Sequence, residues 1–215
     1  MTLVYLHGFA SGPGSTKAQW FRARLATRGA TLQVPDLAPD FRAMTMTSQL
    51  AIAEALVGDG PAMLMGSSLG GWLATLVAAQ RPDAVRGLVL LAPAFGFVAR
   101  WTERLGATAI ARWRAAGTLS VPHYGLGRHA DLGVGFLDDA ARWPAEPDPA
   151  APALVLAGRR DDAVPLPAVE SFAHRRPQRR LVVYDAGHEL TEVLEPMWGE
   201  IEAFLVAHGA LAARA

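Results

Sequence analysis

Short apolar runs separated by longer amphipathic stretches organise this chain. The runs at residues 3–6, 32–35, 62–65, 87–91, 153–157 and 181–184 are mostly continuous rather than alternating. That pattern predicts strands buried on both faces of a parallel sheet, where neither side of a strand meets water. Between them, residues 16–28, 47–57, 69–80, 167–175 and 191–208 have the length and spacing of helices. Strand and helix in strict alternation predict an α/β fold, with a doubly wound, mostly parallel sheet of about six strands and helices on both faces. Sheets of this kind place ligands at the carboxyl ends of their strands. Chemistry is therefore to be sought just after each apolar run.

One stretch breaks the rhythm. About sixty residues separate the run ending at Leu91 from the next, which begins at Ala153. They open with an amphipathic helix over residues 97–116 and a glycine-rich irregular part over 117–135. A short helix-like piece at 136–143 and a proline-rich return at 144–152 follow. Excursions this long inside a compact domain are usually functional. The expectation is one domain over residues 1–215 with a small cap inserted at about residues 95–150. Its aromatic residues Phe95, Phe97, Trp101, Trp113, Phe136 and Trp143 admit two readings, an acyl-pocket wall or helix packing. Packing is the commoner use of apolar residues at helical spacing. Arg100, Arg104, Arg112 and Arg114 are expected on a solvated helix face. Trp72 is expected in the core.

Composition narrows the function classes. A hydrophobic fraction of 51% over 215 residues is ample for a large core. Twenty basic and 20 acidic residues cancel, so there is no basic footprint for nucleic acid. Lys17 is the only lysine, which by itself reads as composition bias rather than a binding signal. The absence of cysteine excludes disulfides, thiol catalysis and cysteine-ligated zinc, and no cofactor or metal is expected. No run approaches the ~18 apolar residues of a membrane span, and no leader-like segment opens the chain, so the expected location is the cytoplasm. The loop from His7 to Gly14 lacks both G-x-G-x-x-G and the lysine-containing phosphate loop, which weighs against a nucleotide-binding domain.

Gly66-Ser67-Ser68-Leu69-Gly70 lies between an apolar run and a helical one, the setting of a nucleophile elbow. Such a turn needs small residues two before and two after the serine. Gly66 and Gly70 meet that need for Ser68, whereas Met65 and Leu69 would flank Ser67. Ser68 is thus the candidate nucleophile. Acyl transfer also needs a base, a group to orient the base and donors for the developing oxyanion. His7-Gly8-Phe9 follows the first strand, and in hydrolases with this elbow one donor is a backbone N–H of that loop, the other that of the residue after the nucleophile. These would be the N–H groups of Phe9 and Leu69, with His7 as a structural brace. His188 follows the last strand and is the candidate base. His174 and His208 belong to helices, and His123 and His129 to the excursion. Asp161 and its neighbour Asp162 follow the strand ending at Ala157, and either suits the orienting acid. The chain order serine, acid, histidine is the one this elbow uses.

On these residues the chain resembles the α/β-hydrolase superfamily over nearly its whole length. It is similar to small bacterial serine esterases that open with a Leu-His-Gly-Phe strand, through Tyr5–Phe9, Ser15–Ala18 and Gly66–Leu73. It also resembles mitochondrial abhydrolase-domain acyl-protein thioesterases, through Gly66–Leu73, Ser120–Tyr124 and Asp161–Pro165. The pattern G-x-x-D-x-x-V-P of the superfamily falls on Gly158, Asp161, Val164 and Pro165, which implies Asp161 as the acid, and its terminal G-H falls on Gly187 and His188. The resemblance implies a serine hydrolase for small or medium carboxylic esters, with an acyl-protein or acyl-CoA thioesterase as the alternative. A small-molecule ester or thioester is then the expected partner. A non-catalytic binding protein of the same fold would have lost a triad member, and here all three candidates are present.

Overall fold

A computed structural model of the chain describes residues 1–214. Six strands form one parallel sheet: β1 (Thr2–Leu6), β2 (Leu32–Gln33), β3 (Ala62–Ser67), β4 (Val85–Leu91), and two we call β7 (Ala153–Gly158) and β8 (Arg179–Tyr184) because a hairpin precedes them. Their order is β2-β1-β3-β4-β7-β8, and every neighbouring pair is parallel. The continuous apolar runs follow from two core layers. Val4, Leu6, Leu64, Leu88, Leu90 and Val155 enter one layer. Their alternates Leu3, Tyr5, Met63, Met65, Val89 and Leu154 enter the other. Each position is at most 3% exposed, and each such aliphatic side chain contributes about 2 kcal/mol on burial.

Helices cover both faces. α1 (Thr16–Ala26) and α7 (Leu194–Ala207) supply Phe21, Leu25, Met197, Trp198 and Ile201 to one layer. α2 (Met46–Val57), α3 (Leu69–Gln80) and α6 (Leu166–His174) supply Leu50, Trp72, Leu73 and Phe172 to the other. α2 starts one residue earlier than its apolar spacing suggests because Thr45 caps it. The Thr45 hydroxyl accepts from the Ser48 N–H at 2.9 Å, and the Ser48 hydroxyl accepts from the Thr45 N–H at 3.0 Å. β2 is only Leu32–Gln33 rather than the four residues expected. It is the sheet edge, and Pro35 has no N–H to extend a ladder. The C-terminal helical stretch begins as a 3₁₀ turn, Thr191–Val193, before α7.

The excursion departs most from expectation. α4 (Phe97–Ala116) breaks at Gly106, whose φ of 77° no right-handed helix accommodates. The part expected to be irregular is an antiparallel hairpin, β5 (Thr118–His123) and β6 (Arg128–Gly133). Only Val121, His123 and Leu132 of these strands are buried, so the apolar signal is thin. Pro122 also sits mid-strand, a position tolerated because a two-stranded ribbon consists only of edges. α5 (Gly135–Ala140) closes the excursion. No helix among the described residues is long and apolar enough to cross a membrane.

Candidate active site

The turn from β3 to α3 builds the site from its backbone outward. Ser68 sits at φ 53°, ψ −118°, a conformation L-residues rarely adopt. A Cβ on Gly66 would collide with the carbonyl of Gly70, and one on Gly70 with the carbonyls of Leu6 and His7. The two glycines are therefore required by close backbone approach, as the sequence argument for Ser68 demanded. The turn is held on both sides: the Ser68 N–H donates to Leu91 O at 2.9 Å, and the Ser68 carbonyl accepts from Gly71 and Ala94. Its Oγ is left facing the cleft.

His188 and Asp161 meet it there. His188 Nε2 lies 2.9 Å from Ser68 Oγ, and His188 Nδ1 lies 2.8 Å from Asp161 Oδ2. An ionised carboxylate only accepts, so Nδ1–H donates to Asp161 and Nε2 is free to accept from the Ser68 hydroxyl. Asp161 Oδ1 accepts from the N–H groups of Ala163 and Val164, both at 2.8 Å. The Asp161 side chain is 3% exposed and that of His188 18%. Burial alone would raise the Asp161 pKa, but His188 and the two N–H donors outweigh it and hold the carboxyl below its ordinary range. Asp162 is exposed, and its backbone carbonyl is what meets a neighbour, Arg104, at 3.3 Å. Of the two aspartates, the structure brings only Asp161 to the histidine.

The β1 loop packs beside the elbow. A Cβ on Gly8 would lie 3.5 Å from that of Ser68. The Phe9 ring is pinned among Phe41, Phe97, Trp101 and Phe136, with centroids 5.2–5.9 Å away. No hydrogen bond among the described residues engages the N–H of Phe9 or of Leu69. His7 braces the loop as expected: Nε2 accepts from Leu37 N–H at 3.2 Å, and Nδ1 lies 3.0 Å from Gly8 O. Burial shifts its pKa downward, which keeps it neutral. His174 and His208 end helices, and His123 is buried at the hairpin end, where its Nδ1 accepts from Leu126 N–H.

These groups open into a cleft of about 1500 Å³. Phe97, Trp101, Leu105, Leu119 and Val121 of the excursion line it, facing Ser68 and His188. Of the aromatics weighed in the sequence, Phe97 and Trp101 reach the cleft. Phe95, Trp113 and Phe136 are core, each at most 2% exposed, and Trp143 packs against the same core layer. Trp72 is core too, with Nε1 donating to Pro144 O. The expected solvated arginine face holds for Arg104, Arg112 and Arg114, which are exposed, Arg114 pairing with Asp138 at 2.7 Å. Arg100 needs correction: it is half-buried, and with Arg104 it lines the cleft. Arg100 donates to Phe95 O and, from Nε, to Ala163 O at 3.3 Å, and Arg104 donates to Asp162 O. Helical periodicity marked them as polar, but it carries no signal that a distant loop offers them carbonyls. Among the described residues, no cluster of three or more His, Asp or Glu side chains is placed to hold a metal.

Solved structures share this architecture. Alpha/beta hydrolase domain-containing protein 10 from mouse superposes with a TM-score of 0.80 at 20% identity, covering 96% of this chain and 90% of that one. Est1E from Butyrivibrio proteoclasticus, solved with ferulic acid bound, gives 0.80 at 21% identity, covering 98% and 90%. A monoacylglycerol lipase from Paleococcus ferrophilus gives 0.72 at 18% identity, covering 96% and 94%. At these identities the likeness establishes the α/β-hydrolase fold. No curated protein matches the chain in sequence. The model of the uncharacterised protein family UPF0227 matches residues 2–206, and the chain belongs to that family.

Proposed function

We propose that this protein is a serine hydrolase that cleaves carboxylic esters of small or medium acyl groups through an acyl-enzyme. The observation that carries the reading is the unbroken hydrogen-bonded chain Asp161–His188–Ser68 at the cleft floor. Ser68 Oγ attacks the carbonyl carbon while its proton passes to His188 Nε2. Asp161 holds the tautomer and stabilises the imidazolium. The oxyanion takes the N–H groups of Phe9 and Leu69, each such donor accounting for roughly 3 kcal/mol of transition-state stabilisation in other hydrolases. His188 then gives its proton to the leaving oxygen or sulfur. Water repeats the sequence on the acyl-enzyme and frees Ser68. The excursion at residues 95–150 acts as the cap, with Phe97 and Trp101 as an apolar wall for the acyl group.

The cleft, at about 1500 Å³, exceeds the ~300–1,000 Å³ of sites for drug-sized ligands. It has room for a leaving group larger than the acyl chain, which supports acyl-protein or acyl-CoA thioesters as the alternative substrates. Labelling with a fluorophosphonate, followed by peptide mapping, tests the nucleophile. Stoichiometric adduct on Ser68, lost in Ser68→Ala, is the expected result. A folded protein that takes no label would favour a non-catalytic binding protein. Matched ester and thioester pairs then decide the substrate class.

A further inference from the structure

Lys17 is the chain's only lysine and sits in the first turn of α1. That is a poor place for a cation, because a helix N-terminus carries partial positive charge and favours anions. No acidic residue in that turn offsets it. The side chain is also only 10% exposed, and removing an ammonium from water is costly unless it is paired and hydrogen-bonded. Neither helix formation nor burial explains the residue.

Its contacts do. Nζ donates to the backbone carbonyl of Glu189 at 2.6 Å and lies 3.2 Å from the Glu189 carboxylate. That carboxylate is 72% exposed, and a pair screened to that degree contributes little. The short bond to the carbonyl is the substantial one. Glu189 directly follows His188. The restraints on the near side of the histidine include the Arg160–Asp185 pair at 2.8 Å, the Arg160 N–H donating to Ala186 O at 2.9 Å and the Gly187 N–H donating to Glu192 at 2.9 Å. On the far side comes Leu190, held at φ 54°, a backbone conformation that persists only where its surroundings enforce it. Lys17 grips the peptide between the two. It also lines the cleft together with Ser68 and His188.

We infer that Lys17 is a positioning residue for His188: its ammonium anchors the Glu189 carbonyl and so keeps the imidazole between Asp161 and Ser68. The inference rests on the hydrolase reading above. It joins the α1 end of the β1 loop, which carries the proposed oxyanion donor Phe9, to the histidine loop 172 residues away in sequence. The two halves of the site would then keep a common register.

The test uses Lys17→Met, which keeps bulk and loses the donor, and Lys17→Arg, which keeps cationic donors. Activity is read on p-nitrophenyl butyrate, with fluorophosphonate labelling of Ser68 in parallel. A displacement of about 1 Å in a catalytic group costs on the order of 100-fold. For Lys17→Met, kcat should fall about 10- to 100-fold with KM within about twofold, labelling should slow by the same factor, and Lys17→Arg should recover most of the rate. Should Lys17→Met fail to fold, Lys17→Gln, one atom too short to reach the carbonyl, should give the same split. A kcat within about threefold of wild type in a folded Met or Gln variant overturns the inference and leaves the hydrolase reading standing. A rise in KM without a fall in kcat overturns it too, since Lys17 would then contact substrate. A wild-type protein that neither labels at Ser68 nor hydrolyses the ester removes the hydrolase reading and the inference with it.

Discussion

Asp161→Asn is the substitution whose outcome the hydrogen bonds determine most completely. Asp161 Oδ1 accepts two backbone N–H bonds of 2.8 Å, from Ala163 and Val164, while Oδ2 faces His188 Nδ1 at 2.8 Å. An asparagine here has one acceptor oxygen, and the two backbone donors claim it. Its amide NH₂ is then forced toward His188. Nδ1 must become the acceptor, so the imidazole proton moves to Nε2, which points at Ser68 Oγ. The proposed base has become a donor toward the hydroxyl it would deprotonate. In serine proteases the same tautomer error costs about 10⁴ in kcat. A loss of 10³ to 10⁴ is therefore expected, about 4 to 5.5 kcal/mol at 1.36 kcal/mol per decade. The contact distances barely change, so KM should change little.

Asp162→Asn is the control. Its side chain is exposed, and only its backbone carbonyl is engaged, by Arg104. Its kcat should stay within about threefold of wild type. Initial rates on p-nitrophenyl butyrate at saturating substrate, with circular dichroism to confirm folding, measure both variants. A folded Asp161→Asn within tenfold of wild type would refute the tautomer argument, and the reverse ranking would transfer the acid role to Asp162.

Two further outcomes follow from the elbow and the acid. Gly70→Ala puts a methyl group against the carbonyls of Leu6 and His7 in rigid backbone, so a urea titration should show a loss of about 3 kcal/mol or more, or no folded protein. Asp161 has a folded pKa below its ordinary value of 3.8. Its stabilising contribution is complete above pH 3.8 and is lost as pH falls through the lower folded value. The stability gap between wild type and Asp161→Asn should thus narrow only below about that pH, as acid melts followed by circular dichroism would show; a gap already closed at pH 5 would contradict the shift.

The sheet and the elbow were legible because both rest on rules local in sequence. Continuous apolar runs mark strands buried on both faces, and G-x-S-x-G marks a turn that tolerates no other spacing of small residues. Ser68, His188 and one of two aspartates could be named for the same reason, each following an apolar run. What stayed hidden depends on partners far along the chain. Arg100 looks like part of a solvated stripe until the loop at residues 161–164 presents the Ala163 carbonyl. Lys17 looks like composition until the Glu189 carbonyl arrives beside it. The hairpin β5–β6 was hidden differently: Pro122 and its glycines carry loop propensity, and cross-strand pairing overrides it.

Backbone strain shows the same division. Among the described residues, four that are not glycine have positive φ: Ala10, Ser68, Ala92 and Leu190. All four lie in the segments that follow the carboxyl ends of β1, β3, β4 and β8, the rim that carries the candidate site. Glycine would relieve each of them, at about 1 to 3 kcal/mol per residue. Ser68 must remain serine if it is the nucleophile. The others are kept by packing. Leu190, two residues after His188, is fully buried, and Ala10 and Ala92 are 3% and 1% exposed. Burying a leucine contributes about 2 kcal/mol, close to what its φ of 54° costs. A glycine at 190 would ease the backbone, empty that part of the core and release the turn next to His188. The strain is therefore held in place by the core beneath it, and alanine or leucine in the sequence gives no sign of it.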